Sequence, residues 1–143
     1  MWSFGTQAER YRVLSLFYSL LSYLAAEDEQ EIGERKYSPI APALNYLKKH
    51  IYDSNLKVEE LHTIAGISGT YFRQLFISKY GTTPRRFILK KRLSHAKSIL
   101  AAGDFGTISE VALSVGFNDP LYFSKAYKKA YGISPTEMLR EGY

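Results

Sequence analysis

Two stretches of this chain repeat each other, and this repeat restricts the possible folds more than any other feature. The segment Leu61-x-x-x-Ala65-Gly66-Ile67 recurs 50 residues later as Val111-x-x-x-Val115-Gly116-Phe117. Beyond it the offset is 51, and Phe72, Phe76, Tyr80, Gly81 and Pro84 match Phe123, Tyr127, Tyr131, Gly132 and Pro135. Each copy predicts a short helix, a turn with glycine, a longer helix and a glycine stop, followed by a proline that begins another helix.

Residues at the predicted boundaries suit these positions. Thr107-Ile108-Ser109-Glu110 is a capping box, and Asn118-Asp119-Pro120 offers a polar cap with proline at the first helical position. Ser68 is the expected cap of the second helix in the first copy. Gly81 and Gly132 suit the left-handed residue that ends a helix. Gly66 and Gly116 fall in the tight connections, where we expect little room for a side chain.

Two helices joined by a short glycine turn predict a helix-turn-helix, whose second helix can enter the major groove of DNA. The first unit covers residues 57–80 and the second 107–131. Between them, Leu89, Leu93, Ala96 and Leu100 predict a linker helix over 84–102. At about 1.5 Å per residue it spans about 27 Å, against about 34 Å between successive major-groove openings on one face of DNA. The shortfall indicates either a bent duplex or one weakly inserted helix.

Net charge differs between the first 40 residues and the rest of the chain. Residues 1–40 carry a net charge of −2, whereas residues 41–143 carry +7, which favours a polyanionic partner for the second part. Apolar residues between 43 and 52 (Ala43, Leu44, Tyr46, Leu47 and Ile51) predict another helix. No stretch alternates apolar and polar residues for long enough to predict a strand. The fold class is therefore all-α: two helix-turn-helix subdomains joined by a linker helix and preceded by a separate N-terminal helix.

That N-terminal helix is predicted over residues 7–25, where Leu14, Phe17, Leu21 and Leu24 share one face. A core helix is the favoured interpretation, and a homodimer through residues 7–25 is the alternative. Ser15, Ser19 and Ser22 interrupt the apolar run and argue against a signal peptide. We divide the chain into a helix at 1–26 left from a sensor or dimerisation region, a polar linker at 27–40, and a DNA-binding domain at 41–143.

Residues 41–143 resemble the DNA-binding domain of AraC/XylS-type bacterial transcription regulators. In the first copy the resemblance rests on Leu61, Ala65-Gly66-Ile67-Ser68, Tyr71-Phe72-x-x-Leu75-Phe76, Gly81-x-x-Pro84 and Arg92 with Ala96 and Leu100. In the second it rests on Ile108-x-x-Val111-Ala112-x-x-Val115-Gly116-Phe117, Tyr122-Phe123-Ser124, Tyr127-Lys128-Lys129 and Tyr131-Gly132-Ile133-Ser134-Pro135. The resemblance implies two helix-turn-helix units bridged by a helix, and sequence-specific control of transcription, usually activation.

Candidate base-reading residues lie opposite the predicted buried faces of the recognition helices. With Phe72, Leu75 and Phe76 buried, Arg73 and Gln74 face outward, and these side chains suit guanine and adenine edges. With Phe123 and Tyr127 buried, Leu121, Tyr122, Lys125 and Asn118 face the groove. By resemblance, the positions of Thr70, Arg73, Gln74, Leu121, Tyr122 and Lys125 usually read bases. The apolar side chains of the second unit predict that it is the less selective reader.

Phosphate contacts are expected from basic and small polar side chains around these helices. The candidates are Ser78, Lys79, Arg85, Arg86, Lys90, Lys91, Ser124, Lys128 and Lys129. For each lysine the alternative is a solvated basic face. In the family the counterpart of Arg92 often bonds within the domain, so Arg92 is not a candidate DNA contact.

The first unit departs from the pattern at two positions. His62 stands where the family and the second copy (Ala112) have a small residue between the helices. A pH switch or metal ligand is the alternative for His62, but a structural role is favoured because no partner histidine or cysteine accompanies it. Lys57 stands in the place of the cap Thr107 and puts a cation at a helix start. We expect the first unit to pack differently or to be less stable.

Other function classes receive little support. The chain has no cysteine, its three histidines are scattered, and no phosphate-cradling glycine loop is present, so neither an enzyme nor a metal or cofactor site is predicted. RNA binding is disfavoured because the narrow RNA major groove does not admit a helix. A protein-interaction module with only nonspecific DNA affinity is the alternative to a regulator. The expected partner is double-stranded DNA in the cytoplasm, with RNA polymerase as a second candidate, no membrane, and any small-molecule effector bound by a region outside this sequence.

Overall fold

The structure is a computed structural model that describes residues 38–141. In that range it is entirely helical, with seven α-helices and two short 3-10 turns. The helices are α1 (Ala41–His50), α2 (Leu61–Ala65), α3 (Gly69–Tyr80), α4 (Pro84–Ala102), α5 (Ile108–Ser114), α6 (Pro120–Tyr131) and α7 (Pro135–Glu141). The 3-10 turns, Ser38–Ile40 and Val58–Glu60, precede α1 and α2. The predicted all-α class with two linked helix-turn-helix units is confirmed. The helix predicted at 7–25 and residues 27–37 of the linker lie outside the described residues.

The linker helix α4 joins the two units through its two halves. Ile88 is buried on the side of the first unit, where α4 packs against α3. Leu93, Ala96 and Leu100 are buried in the core of the second unit, together with Val111, Ala112, Val115, Phe117, Phe123, Tyr127 and Met138. Leu89 is only partly buried. Because one continuous helix contributes to both cores, the two units cannot turn independently without breaking apolar packing.

Arg92 adds a polar connection at the middle of α4. Its Nε donates to the carbonyl oxygen of Ile51 at 2.7 Å, Nη1 to that of Gly116 at 2.8 Å, and Nη2 to that of Asp53 at 2.8 Å. Ile51 and Asp53 follow α1, whereas Gly116 lies in the turn of the second unit. Burial lowers the pKa of Arg92, and the nearby Asp53 carboxylate acts in the opposite direction. The expectation that Arg92 bonds within the domain is confirmed.

The caps fall where the sequence predicts them. Ser68 Oγ accepts from the amide of Tyr71, and Thr107 forms a complete capping box with Glu110. Asp119 caps α6, and Gly81 and Gly132 adopt φ of +69° and +82° at the ends of α3 and α6. These contacts satisfy backbone groups at the helix ends that would otherwise be unpaired.

The first unit begins differently from the second. Lys57 cannot accept a hydrogen bond from the helix start, and the chain makes a 3-10 turn at Val58–Glu60 before the five-residue α2, whereas α5 has seven residues and a capping box. Lys57 Nζ instead pairs with Glu60 at 3.2 Å. The expected difference in packing is thus present at the start of the unit. In α1, Tyr46 does not share the buried face of Ala43 and Leu47, and is 38% exposed.

The two turn glycines are not equivalent. Both have positive φ, +67° at Gly66 and +94° at Gly116. A Cβ on Gly116 would lie 2.8 Å from Arg92 Cζ and 2.9 Å from the Tyr52 carbonyl oxygen, whereas a Cβ on Gly66 would meet nothing within 4 Å. The prediction that both positions lack room for a side chain is therefore wrong for Gly66, where only the backbone conformation requires glycine.

We expect Gly116→Ala to destabilise the protein more than Gly66→Ala. The left-handed backbone costs alanine about 1 kcal/mol at either site, and the clash at Gly116 raises the loss to about 3 kcal/mol or more. Urea unfolding of both variants measures the difference in unfolding free energy. Equal losses would contradict the close contact between Gly116 and Arg92.

Arg92→Lys tests the connection through α4. Lysine keeps the charge, but its single ammonium group lacks the fork geometry with which a guanidinium reaches the carbonyl oxygens after α1 and the one in the turn of the second unit. We expect unfolding free energy to fall by about 2–4 kcal/mol, since up to two charged hydrogen bonds are lost. The control, exposed Arg86→Lys, is expected to change stability by less than about 0.5 kcal/mol. Similar stabilities for the two variants would contradict this connection.

Acid is expected to weaken the start of α7. Glu137 accepts from the amide of Ser134 at 2.6 Å and lies 3.3 Å from Lys128 Nζ. The Ser134 amide, the Ser134 hydroxyl and Lys128 lower the pKa of Glu137 from its ordinary value of 4.5. A carboxylate with a lowered pKa stabilises the fold above its ordinary pKa, and this contribution is lost as the pH falls through the folded-state pKa.

Thermal unfolding of wild type and Glu137→Gln across this range measures the effect. The variant is expected to unfold at a lower temperature at neutral pH, and the difference should shrink below the ordinary pKa of the carboxyl. Glu141→Gln in the last turn of α7 serves as the control and is expected to show no such loss. A difference independent of pH would refute the role of the charge.

Candidate nucleic-acid interface

The recognition helices α3 and α6 each bury one face and expose the other. In α3, Phe72, Leu75 and Phe76 are at most 5% exposed, and in α6, Phe123 and Tyr127 are fully buried. These buried faces agree with the sequence prediction. The buried side chains fix the rotation of each helix, so the opposite face of each helix is exposed to solvent.

The predicted base-reading side chains lie on these solvent faces. Thr70, Arg73 and Gln74 are exposed on α3, and Lys125 is exposed on α6. Leu121 and Tyr122 are 64% and 55% exposed. Both belong to the first turns of α6, where a recognition helix contacts base edges.

Asn118 has a role within the protein. Its side-chain amide donates to the carbonyl oxygen of Ser54 at 3.3 Å, linking the turn of the second unit to the loop after α1. The residue is still exposed on the same side as α6. Contact of Asn118 with DNA stays a prediction, and any such contact competes with this hydrogen bond.

Tyr71 is an exposed residue that the sequence predictions omitted. It is 46% exposed on α3, and the repeat places it opposite Tyr122 at the offset of 51. The alignment of the two copies carries this signal, because Tyr71 matches Tyr122, which is a predicted base-reading residue. The two recognition helices thus expose a tyrosine at the same position.

A surface groove lies between the start of the linker helix and the second unit. Its lining includes Arg85 and Arg86 of α4 on one side, and Asn118 and Tyr122 of the second unit on the other. Arg92 lies at its floor with Gly116. The groove shows that the start of α4 and the start of α6 border one continuous surface.

Several predicted phosphate contacts interact within the protein. Arg85 Nη2 forms an ion pair with Glu59, and Lys128 pairs with Glu137. Lys79 and Lys91 lie over the rings of Tyr80 and Phe87, with Nζ 5.8 and 5.6 Å from the ring centroids. The other candidates, Ser78, Arg86, Lys90 and Lys129, are exposed, and Ser124 is half-buried. The carboxylates beside Arg85 and Lys128 were not anticipated from the sequence.

Metal-binding groups and membrane-spanning helices are both absent from the described part of the chain. Between residues 38 and 141, no three His, Asp or Glu side chains form a group that could hold a metal ion. In the same range, no helix has both the length and the apolar composition that crossing a bilayer requires.

Comparison with known proteins agrees with this geometry. Residues 61–141 match the family described as a helix-turn-helix domain. The chain is 34% identical over 130 residues to the transcriptional activator RhrA of Rhizobium meliloti, covering 87% of this chain and 40% of RhrA. It is 31% identical over 137 residues to the arabinose operon regulatory protein of Escherichia coli, covering 93% of this chain and 46% of that protein.

A solved structure shares the fold. The DNA-binding domain of AdpA, described as a global transcriptional factor and solved in complex with a target DNA, superposes with a TM-score of 0.65 at 25% identity. The match covers 72% of this chain and 91% of that domain. The chain spans less than half the length of the two curated relatives. With the matched helix-turn-helix region covering more than half of the chain and these relatives in agreement, the protein belongs to the AraC family of helix-turn-helix proteins.

Proposed function

We propose that this protein is a bacterial, cytoplasmic transcription regulator that binds a specific double-stranded DNA sequence and activates transcription. The observation that carries the proposal is the pair of recognition helices, each of which buries one face and exposes another, on a domain of net positive charge. A helix exposed in this way can enter the major groove. The name of RhrA, a transcriptional activator, supports activation as the outcome.

The two units read adjacent major-groove segments in this proposal. Thr70, Arg73 and Gln74 contact base edges from α3, and Leu121, Tyr122 and Lys125 do so from α6, with Asn118 beside them. Arg73 offers two donors to guanine, whereas Leu121 and Tyr122 offer apolar contact to thymine methyl groups. The first unit is therefore the more selective reader.

Cations around the helices position the protein without reading sequence. Arg86, Lys90 and Lys129 are exposed and available to phosphates, while Arg85 and Lys128 exchange a carboxylate for a phosphate on binding. RNA polymerase is a further proposed partner. Residues 7–25 are proposed as a core helix of a sensor region, with a homodimer contact as the alternative.

Selection from a random duplex pool with wild type, Arg73→Ala and Lys125→Ala tests the proposal. We expect wild type to recover an asymmetric site with two short elements about one helical turn apart. Arg73→Ala should reduce the discrimination between bases at the first element, and Lys125→Ala should reduce it at the second. Each loss is expected to be about 1–3 kcal/mol. Binding of the recovered site at near-physiological salt measures these losses.

Lys129→Ala is the matched control on the same helix as Lys125. It is expected to weaken binding to all DNA sequences alike and to reduce the slope of log affinity against log salt concentration by about one. A wild-type pool that never converges would contradict sequence-specific binding. It would favour the protein-interaction module, whose DNA affinity is weak, salt-sensitive and indifferent to sequence.

A further inference from the structure

His62 forms two hydrogen bonds with Ile67 across the turn of the first unit. Its carbonyl oxygen accepts from the amide of Ile67 at 3.2 Å, and its ring Nδ1 donates to the carbonyl oxygen of Ile67 at 3.0 Å. A carbonyl oxygen can only accept, so Nδ1 carries the proton of the neutral ring. The other ring nitrogen, Nε2, is an acceptor in the neutral ring and becomes a donor when the ring is protonated.

The ring of His62 lines a concave surface that we call the basic recess. The recess is lined by Val58, Glu59, His62, Gly69, Phe72, Arg73, Thr83, Pro84, Arg85 and Arg86. A Cβ added to Gly69 would lie 3.5 Å from Cδ2 and 3.8 Å from Nε2 of His62, so no side chain of residue 69 lies against this edge of the ring.

Charged groups reach the basic recess from three elements. Glu59 comes from the 3-10 turn before α2, Arg73 from α3, and Arg85 and Arg86 from the first turn of α4. Glu59 is paired with Arg85. With three guanidinium groups and one carboxylate, the recess has a formal charge of +2 while His62 is neutral. Such a site attracts a small anion.

The second unit lacks the basic side chains of this recess. At the positions that match His62, Arg73, Arg85 and Arg86 it carries Ala112, Ser124, Thr136 and Glu137. The fold of the unit therefore does not require these basic side chains, because the other copy forms the same helices without them. Their presence together in the first unit needs a reason beyond folding.

We propose that the basic recess binds one phosphate of the DNA backbone, with Arg86 and His62 Nε2 as donors. This inference rests on the proposed function, in which Arg73 at the edge of the recess reads a base. The first helix of a helix-turn-helix crosses the DNA backbone, and His62 lies on that helix. A phosphodiester carries one negative charge and two acceptor oxygens that suit a guanidinium and an imidazolium.

The recess makes DNA binding sensitive to pH. Nε2 can donate to a phosphate oxygen only in the protonated ring, so binding takes up a proton there. Affinity then rises as the pH falls through the range in which imidazoles titrate. Glu59, Arg73, Arg85 and Arg86 are the charged residues that line the recess together with the ring.

Affinity for the selected duplex, measured from about pH 6 to about pH 8 at constant ionic strength, tests the inference. Wild type is expected to bind about threefold to tenfold more tightly at the acidic end. In His62→Asn, the amide can replace the Nδ1 donor to Ile67 but offers nothing at Nε2, so the turn stays closed and the pH dependence is lost. His62→Ala introduces the alanine that stands at the matching position of the second copy, Ala112, and this variant should also lose the pH dependence.

His95→Asn is the control, because His95 is exposed on α4 and stacks on Tyr52 away from the recess. It should keep the wild-type pH dependence. A single uncharged methylphosphonate, moved along the backbone beside the first element, should remove the difference between wild type and His62→Asn at one position only. That result would locate the phosphate.

The outcomes separate this inference from the function on which it rests. Failure of wild type to select any duplex would overturn both. Specific binding with no pH dependence, or with the same pH dependence in His62→Asn, would overturn only the proposal that the basic recess binds a phosphate. Saturable binding of inorganic phosphate at His62, with no methylphosphonate position that matters, would overturn the DNA assignment and identify a small-anion site.

Discussion

Three hydrogen bonds from Arg92 connect the linker helix to the residues that follow α1 and to the turn of the second helix-turn-helix unit. The guanidinium of this one side chain meets the end of α1, the loop after it and the turn of the second unit. Each acceptor is a backbone carbonyl oxygen, so the connection does not depend on the side chains at those positions. The relative placement of α3 and α6, and with it the geometry of the whole candidate interface, depends on this contact and on the packing along α4.

The two units have the same order of helices and differ in the local contacts that stabilise them. The second has a capping box, a fully buried small residue at Ala112 and a glycine pressed against Arg92. The first replaces these with a 3-10 turn, a histidine bonded to its own turn and a glycine with open space around it. The first unit has thereby gained polar groups where the second is apolar.

Local sequence rules predicted the helices well because the signals lie within a few residues of each boundary. Ser68, Thr107 and Asp119 cap the helices they precede, and the apolar spacing of α3 and α6 identified the buried faces. What the sequence could not supply were contacts between distant residues. The hydrogen bonds of Arg92 and Asn118 span 24 to 64 positions, and no periodicity reports them. The pairing of Arg85 with Glu59, 26 residues away, was missed for the same reason.

In the proposed function, both recognition helices belong to one chain. In a symmetric dimer, a substitution in the recognition helix alters both halves of a palindromic operator at once. Here a change at Arg73 leaves α6 untouched, and a change at Lys125 leaves α3 untouched. In the proposed mode of binding, each half of the DNA site can therefore change with its own helix while the other half keeps the protein in place. The proposed site also has a direction, so a bound molecule faces one way along the genome.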